Sequence, residues 1–360
     1  MINAQPSRHR DNLDVCIVGA GPIGIELAVA LKQQGISCQI IEAGPIGQTM
    51  SWWAPETRWF SSNERIAIAG VPLVTPDQSK ATREQYLAYL RSVVMQFDVQ
   101  VRSFETVVSI ERQAANAFVV SSQPQNGDVM HQTQCQHVVL AIGGTDFPRR
   151  LAIPGETLPH VDGYLREPHR YFGRKVLVVG GRNSAAEAAL RLHHAGADVA
   201  ISYRGDELPY ESIKYWLSPE IRGLIQSGRI VSHFATVPIA ITPQTVTLKN
   251  VHDDSLCDVD ADDVLMLIGY EQSKTLLNNA GVQLAESTER PVFNEETMET
   301  NVPGIFIAGT AVAGTQTSKY KTFLENCHVH VDRIVSHLSG RAALQTRRVY
   351  ESEITVNPES

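Results

Sequence analysis

The chain has 360 residues, 31 basic and 39 acidic, for a formal net charge of −8, a length that suggests two domains at roughly 150 residues each. With 43% hydrophobic and 19% charged residues it has the composition of a globular protein with full-sized cores, which excludes a disordered or fibrous chain. The acidic balance, without a basic tract or a Lys/Arg stripe to neutralise phosphates, sets nucleic acid aside.

The first residues, MINAQPSRHRDNLD, are polar and lack the apolar stretch of a signal peptide, and every later run of 18 residues is interrupted by Gly or a charge. No membrane partner and a cytoplasmic location are expected. The five cysteines, Cys16, Cys38, Cys135, Cys257 and Cys327, are odd in number, scattered and without a CxxC pair. They support neither a disulfide framework nor a metal site.

Residues 14–19 (DVCIVG) form a short β-branched run leading into Gly19-Ala20-Gly21-Pro22-Ile23-Gly24. An Ala/Leu-rich stretch then reads as helix through Gln33 and ends at Gly35. ISCQII reads as a second strand with Glu42 at its tip, 18 residues after Gly24. This order is the dinucleotide fingerprint. Gly19 allows the tight turn, Gly21 lets backbone approach a pyrophosphate, and Gly24 lets the helix pack on the strand. The helix N-terminus faces the anion, and Glu42 is placed to accept from an adenosine ribose hydroxyl.

Trp52, Trp53 and Trp59 lie within eight residues just past that strand; they read either as an aromatic acceptor pocket or as a hydrophobic plug. HVVLAIGG (137–144) reads as an exit strand, and TDFPRRLAIPGETLP has the composition of a linker. A second unit opens with YFGRKVLVVGG. A shift of 161 residues places Gly19 on Gly180, Glu26 on Glu187, Ala28 on Ala189, Leu31 on Leu192 and Gly35 on Gly196. Gly21 corresponds to Arg182, and Glu42 to Tyr203, which Arg204 follows. A carboxylate there would repel a 2′-phosphate that Arg204 can pair with, so the unit reads as selecting NADPH; a solvated surface Arg is the ordinary alternative. Lys214 is either a second cation or part of a solvated face.

DVLMLIGY (263–270) is the matching exit strand, and NVPGIFIAGTAVAG holds an apolar strand ending at Gly309. That strand is assigned back to the first domain, because FAD needs a further strand end for its ribityl chain and isoalloxazine. A final helix, roughly Thr322 to Leu338, would direct its N-terminus toward the flavin. The expected fold is α/β, with two Rossmann-like three-layer nucleotide-binding domains, the second inserted in the first. Residues 1–150 and 285–345 would bind FAD, 160–284 would bind NAD(P)H, and 346–360 would form a tail.

The segments IVGAGPIG, RWFSSNERIAIAGVPL, GRKVLVVGGRNSAAEAAL, SYRGDELPYESIKYWL and LIGY, in this order over about residues 13–340, resemble the thioredoxin-reductase-like flavoproteins with two dinucleotide-binding domains. Within that branch the match is to the bacillithiol-disulfide reductase family. The resemblance implies noncovalent FAD held by Gly19, Gly21, Pro22, Ile23, Gly24, Glu42 and Ala43, with Ala141 to Gly143 and Gly309 to Thr310 closing over it; Gln48 is a candidate flavin partner. It implies NADPH along Gly180, Gly181, Arg182, Asn183 and Ser184, with Arg204 at the 2′-phosphate and Gly269 beside the nicotinamide. The implied enzyme is a homo-oligomeric, FAD-dependent NADPH oxidoreductase whose reduced flavin passes electrons to an acceptor, a low-molecular-weight thiol disulfide.

Two departures stand out. The resemblance implies an Asp where this chain has Thr310. For relatives acting on bacillithiol disulfide it also implies a cysteine in the first glycine loop, where this chain has Ile23. Cys327, at the start of the final helix, is then the candidate catalytic thiol, through a pKa lowered by the helix dipole; an inert buried cysteine is the other reading. His330 matches a family histidine and reads as a proton donor or a core residue. Neither His328 with His330 nor His193 with His194 shares a metal-binding face.

Two other function classes stand beside the reductase. A flavin monooxygenase would need the linker fingerprint FxGxxxHxxxY, which Gly155, His160 and Tyr164 echo with the Phe missing and the spacing one residue too long. An electron donor to a ferredoxin-like protein would have to overcome the acidic charge.

Overall fold

The apolar run of the first fingerprint becomes β1 (Leu13–Val18), followed by α1 (Pro22–Gln33) and β2 (Cys38–Ile41), in the computed structural model, which describes residues 13–114, 117–286, 288–314 and 322–341. β1 pairs in parallel with β2 on one side. On its other side lies a later strand, residues 135–140, so β1 is internal and its near-continuous burial explains why its sequence is apolar without alternation. Helix α1 is buried from Ile23 to Leu31, as a helix covered on every side must be.

The chain continues through α2 (Arg83–Gln96), β3 (Val101–Arg102), β4 (Glu105–Ala114), β5 (Ala117–Pro124) and β6 (His131–Leu140). Thr82 and Gln85 start α2 with a reciprocal capping box. Tyr86 and Tyr89 on α2 hold the segment before it: the Tyr86 hydroxyl donates to Ile66 O at 2.8 Å, and Ile68 N donates to the Tyr89 hydroxyl at 2.7 Å. The sheet order is β3-β2-β1-β6-β5-β4. Strands β4, β5 and β6 form an antiparallel meander.

A second compact unit comprises Phe147–Tyr270 together with Trp52–Thr57. Its elements are β7 (Val161–Asp162), β8 (Lys175–Val179), α3 (Asn183–His194), β9 (Asp198–Tyr203), α4 (Ser218–Gln226), β10 (Val231–Phe234), β11 (Thr236–Ile241), β12 (Thr245–Asn250), β13 (Leu256–Asp260) and β14 (Asp263–Met266). A parallel sheet runs β10-β9-β8-β14-β7, and β11-β12-β13 form an antiparallel sheet of three. Val178, Ile201, Ala189, Leu192 and Ile221 meet in one core beneath it. Burying each of the larger of these side chains stabilises the unit by roughly 1.5–3 kcal/mol.

The chain then returns to the first unit and adds β15 (Ile305–Ile307) and α5 (His328–Ser339). β15 pairs in parallel with residues 138–140 of β6, while β5 pairs with residues 131–135 of that strand. One ten-residue strand thus serves two neighbours in succession. The two-unit α/β architecture and its parallel sheets are those expected. Three boundaries differ. The second unit starts at Phe147 rather than 160, and the return comes at Glu271 rather than 285. The final helix begins at His328, after a 3-10 turn at Leu324–Asn326. The expected tail at 346–360 lies outside the described residues.

Candidate functional site

The first glycine turn is built by close approach. Gly19 has φ +109°, and a Cβ there would sit 2.4 Å from the Ala141 carbonyl oxygen; Gly180, its counterpart 161 residues on, has φ +143° and would meet Leu267 O at the same 2.4 Å. Both turns therefore press against the exit strand of their own unit, where only glycine fits. A Cβ on Gly24 would meet Gly19 O at 2.1 Å, whereas one on Gly21 meets nothing within 4 Å. Gly24 is needed for packing. Gly21 borders open space at the N-cap of α1, which has Pro22 in its first turn and no side-chain cap, so the first-turn N–H groups are open to an anion.

Glu42 stands beside this turn, 7% exposed. It accepts from Ala20 N at 2.6 Å and Gly44 N at 2.9 Å. Burial pushes its carboxyl above the usual range, against the pull of those N–H groups. A carboxylate has about four lone-pair sites, so acceptor capacity remains for a hydroxyl donor. Ala43 and Gln48 line a cleft of about 610 Å³ with Gly44, Pro45, Phe104 and Thr106. Open backbone at Gly21, an uncapped helix start and a buried acid fit a dinucleotide's pyrophosphate and ribose.

The loops expected to close over a flavin come together within the first unit. Gly309 packs on Ile23, 3.4 Å from its Cβ to where a side chain would begin, and Gly144 lies against Thr310 O. Gly309 N donates to His330 Nδ1 at 3.2 Å. Burial, aided by Arg333 and His328, pushes the His330 imidazole down to about 4, so the ring is neutral, accepts through Nδ1 and carries its proton on Nε2. His330 is thus a core residue that holds the Gly309 turn. His328 Nδ1 lies 2.7 Å from Glu26 Oε2 and its Nε2 3.0 Å from Arg65 O, tying α5 to α1.

Of the two readings of Cys327, the geometry favours the buried, inert one. Its side chain is fully buried, and its thiol donates to Phe323 O at 3.0 Å. Burial, with Glu26 adding to it, pushes the thiol far above the usual range. Desolvation of a thiolate outweighs the helix dipole here, so Cys327 is a protonated core residue. Among the described cysteines, Cys16 and Cys135 are also buried, Cys38 is half-buried and Cys257 is exposed.

In the second unit Arg182 is the N-cap of α3, which likewise has no side-chain cap. Arg182, Ser184 and Arg204 are exposed. Tyr203, at the place of Glu42, lays its ring on Gly181, where a Cβ would meet it at 2.3 Å. The strand tip is therefore covered by an aromatic ring and carries no acid. Asn183 Oδ1 accepts from Lys214 N at 2.8 Å. Lys214 is not on a solvated face: it is 9% exposed, with Nζ 5.8 Å from the Trp216 ring centroid. Gly269 lies beside the Arg149 side chain. Glu187, marked in the sequence only by the repeat, has a carboxyl pushed up to about 7 by burial, with Arg191 pulling it down.

Trp52 and Trp59 fall in different units. Trp59 packs on Tyr86 of α2 in the first unit, with centroids 4.5 Å apart. Trp52 belongs to the second unit and contacts Tyr164 at 5.8 Å, which stacks on Tyr270 at 5.6 Å. Arg191 fixes this segment by donating to Thr57 Oγ1 at 2.7 Å and to the Pro55 carbonyl. The monooxygenase-like residues have structural tasks: a Cβ on Gly155 would clash with Ile241 O at 1.9 Å, and His160 Nε2 donates to Thr242 O. No sequence motif marks Gln272, which is 4% exposed and donates to Gly143 O and Ala311 O.

Among the described residues no group of His, Cys, Asp or Glu could hold a metal ion, and no helix is long and apolar enough to cross a membrane. Residues 16–309 match the model of the pyridine nucleotide-disulphide oxidoreductase family. The chain is 35% identical to bacilliredoxin reductase Bdr of Bacillus subtilis over 90% of its own length and 97% of the relative's. Its fold superposes on the bacillithiol disulfide reductase Bdr of Bacillus cereus with a TM-score of 0.86 and 36% identity, covering 91% of this chain and 99% of the other. The Staphylococcus aureus counterpart gives 0.84 at 32%, covering 92% and 99%.

Proposed function

Since this chain belongs to the pyridine nucleotide-disulphide oxidoreductase family and is an FAD-dependent NADPH oxidoreductase, we propose that its acceptor is a low-molecular-weight thiol disulfide. The observation that carries this reading is the 36% identity, over nearly the whole of both chains, to a structure named for bacillithiol disulfide reduction. When bound, FAD accepts a hydride from NADPH and supplies two electrons to the acceptor.

The residues of the chain divide the remaining work. In this reading Gly19, Gly21, Pro22 and Ile23 present backbone to the FAD pyrophosphate, Gly24 keeps α1 tight on β1, and Glu42 takes the ribose hydroxyls. Ala43 borders the adenosine end, Gln48 is the candidate hydrogen-bonding partner of the flavin, and Ala141, Gly143, Gly309 and Thr310 frame the flavin end. In the second unit Gly180, Gly181, Asn183 and Ser184 receive NADPH. Arg182 and Arg204 supply positive charge to its phosphates, Lys214 is a further cation for them, and Gly269 stands at the nicotinamide side. Two electrons and two protons convert the acceptor disulfide to two thiols. With Ile23 in the glycine loop and Cys327 protonated and buried, the acceptor takes them without an intervening enzyme thiol. A cytoplasmic, self-associating enzyme belongs to the same reading.

The test is anaerobic. NADPH should bleach the flavin band of the yellow protein, and bacillithiol disulfide should restore it faster than quinone, oxygen or ferredoxin. Restoration by quinone or oxygen alone, with disulfides inert, would overturn the acceptor. Arg204→Ala should raise KM for NADPH roughly tenfold, the worth of one charge-assisted hydrogen bond, and leave KM for NADH unchanged; equal effects would remove the 2′-phosphate role.

A further inference from the structure

Gln272 combines features that a purely structural glutamine does not need. It is 4% exposed and lies in the first unit, just after the chain returns from the second. Its amide nitrogen donates to Gly143 O at 2.8 Å and to Ala311 O at 2.9 Å. Two carbonyl acceptors fix which end of the amide is nitrogen. Its Oε1 is then left buried without a hydrogen-bond partner.

The surroundings of that oxygen identify its partner. Gly143 and Ala311 belong to the two loops that frame the flavin end in the proposed site, and a Cβ on Gly143 would meet nothing within 4 Å. The backbone there borders open space. A buried carbonyl oxygen left unpaired is costly, while one that meets a donor is not. The framing backbone at Gly143 O and Ala311 O is itself an acceptor and cannot satisfy it. FAD carries donors at its flavin end, the ribityl hydroxyls and the imide N–H.

Resting on the FAD site proposed above, we infer that Gln272 is an FAD-binding residue, its side-chain oxygen accepting a hydrogen bond from the bound cofactor while its nitrogen pins the two loops that enclose it. Thr310, with one hydroxyl, then shares the polar contacts of the flavin end with Gln272. The residue couples the register of the Gly143 and Ala311 loops to the presence of FAD.

The experiment uses the full chain reconstituted with FAD, with 3-methyl-FAD, which lacks the imide donor, or with FAD bearing a deoxygenated ribityl chain. Dissociation constants are read from flavin fluorescence, and the melting temperature of the FAD-free form is read separately. Gln272→Met, similar in length and without polar atoms, should raise the Kd for FAD roughly three- to tenfold. One analogue should bind wild type more weakly by a similar factor and bind Gln272→Met no more weakly than FAD does, since the two changes remove the same bond. The analogue that behaves so identifies the donor. A lowered melting temperature with unchanged FAD affinity would overturn the inference and leave Gln272 a loop tie. Should Gln272→Met not fold, equal wild-type affinity for FAD and all analogues would overturn it, and a weakened analogue would support it. A protein that takes up no flavin at all would overturn the site reading as well.

Discussion

At the scale of single residues, burial decides chemistry more than position along a helix does. Cys327 sits where a helix start would favour a thiolate, yet its sulfur is fully buried and donates to Phe323 O. Native protein treated with iodoacetamide should label the exposed Cys257 first, and Cys327 only after denaturation. Cys327→Ala should keep disulfide turnover within twofold of wild type; a tenfold loss in a folded variant would reinstate the thiol. Glu187 shows the same force on a carboxyl. Its pKa in the folded protein is about 7, above the ordinary value near 4.3 for an unfolded chain. The folded state therefore holds the proton more tightly, and the stability this contributes, complete below the unfolded value, is lost as pH rises through about 7. Glu187→Gln should be no more stable than wild type below about pH 4 and more stable at pH 8, by roughly 1 kcal/mol after discounting for partial exposure. Melting curves at the two pH values check this; an equal difference at both would show that the proton is not involved.

Elements were legible where the sequence carries a steric requirement. Gly19, Gly21 and Gly24 could be read as strand-turn-helix because each spacing has one geometric cause, and the structure separates those causes. Gly24→Ala puts a Cβ 2.1 Å from a backbone oxygen, so α1 must shift from β1, at a cost of about 1–3 kcal/mol. Gly21→Ala meets open space at an ordinary φ of −73°, so the fold should stand while the side chain intrudes on the cofactor. The expected outcome is a lowered melting temperature for Gly24→Ala with or without FAD. Gly21→Ala should match wild type without FAD and lose the stabilisation FAD provides. Contacts distant in sequence were not legible. His328 and Glu26 are 302 residues apart, and no local pattern marks Gln272 as a link between Gly143 and Ala311. Likewise the proximity of Trp52, Trp53 and Trp59 in sequence concealed that Trp52 and Trp59 pack in different units.

For the whole molecule, the 161-residue repeat reports two copies of one construction, each a parallel sheet with an antiparallel meander, and each glycine turn closed by its own exit strand. The repeat predicts the copies but not where the chain passes between them, because the described residues from Glu271 to Gly304 contain one five-residue helix and no long periodic run. Each unit has its own core, which bears on whether the second can stand alone. A fragment of residues 147–270 keeps the five-stranded sheet, both faces of its core and the proposed NADPH residues, and it should fold cooperatively and bind NADPH. It lacks Trp52–Thr57, so Arg191 loses the acceptors at Pro55 and Thr57, and Tyr164 loses the Trp52 ring. At about 0.5–1.5 kcal/mol for each lost hydrogen bond or ring contact, the fragment should melt several degrees below the same unit in the full chain. Scanning calorimetry with and without NADPH distinguishes the outcomes. A fragment that folds and gains stability from NADPH supports an autonomous nucleotide-binding unit, whereas one that unfolds unless a Trp52–Thr57 peptide is supplied would show that the six-residue segment completes its core.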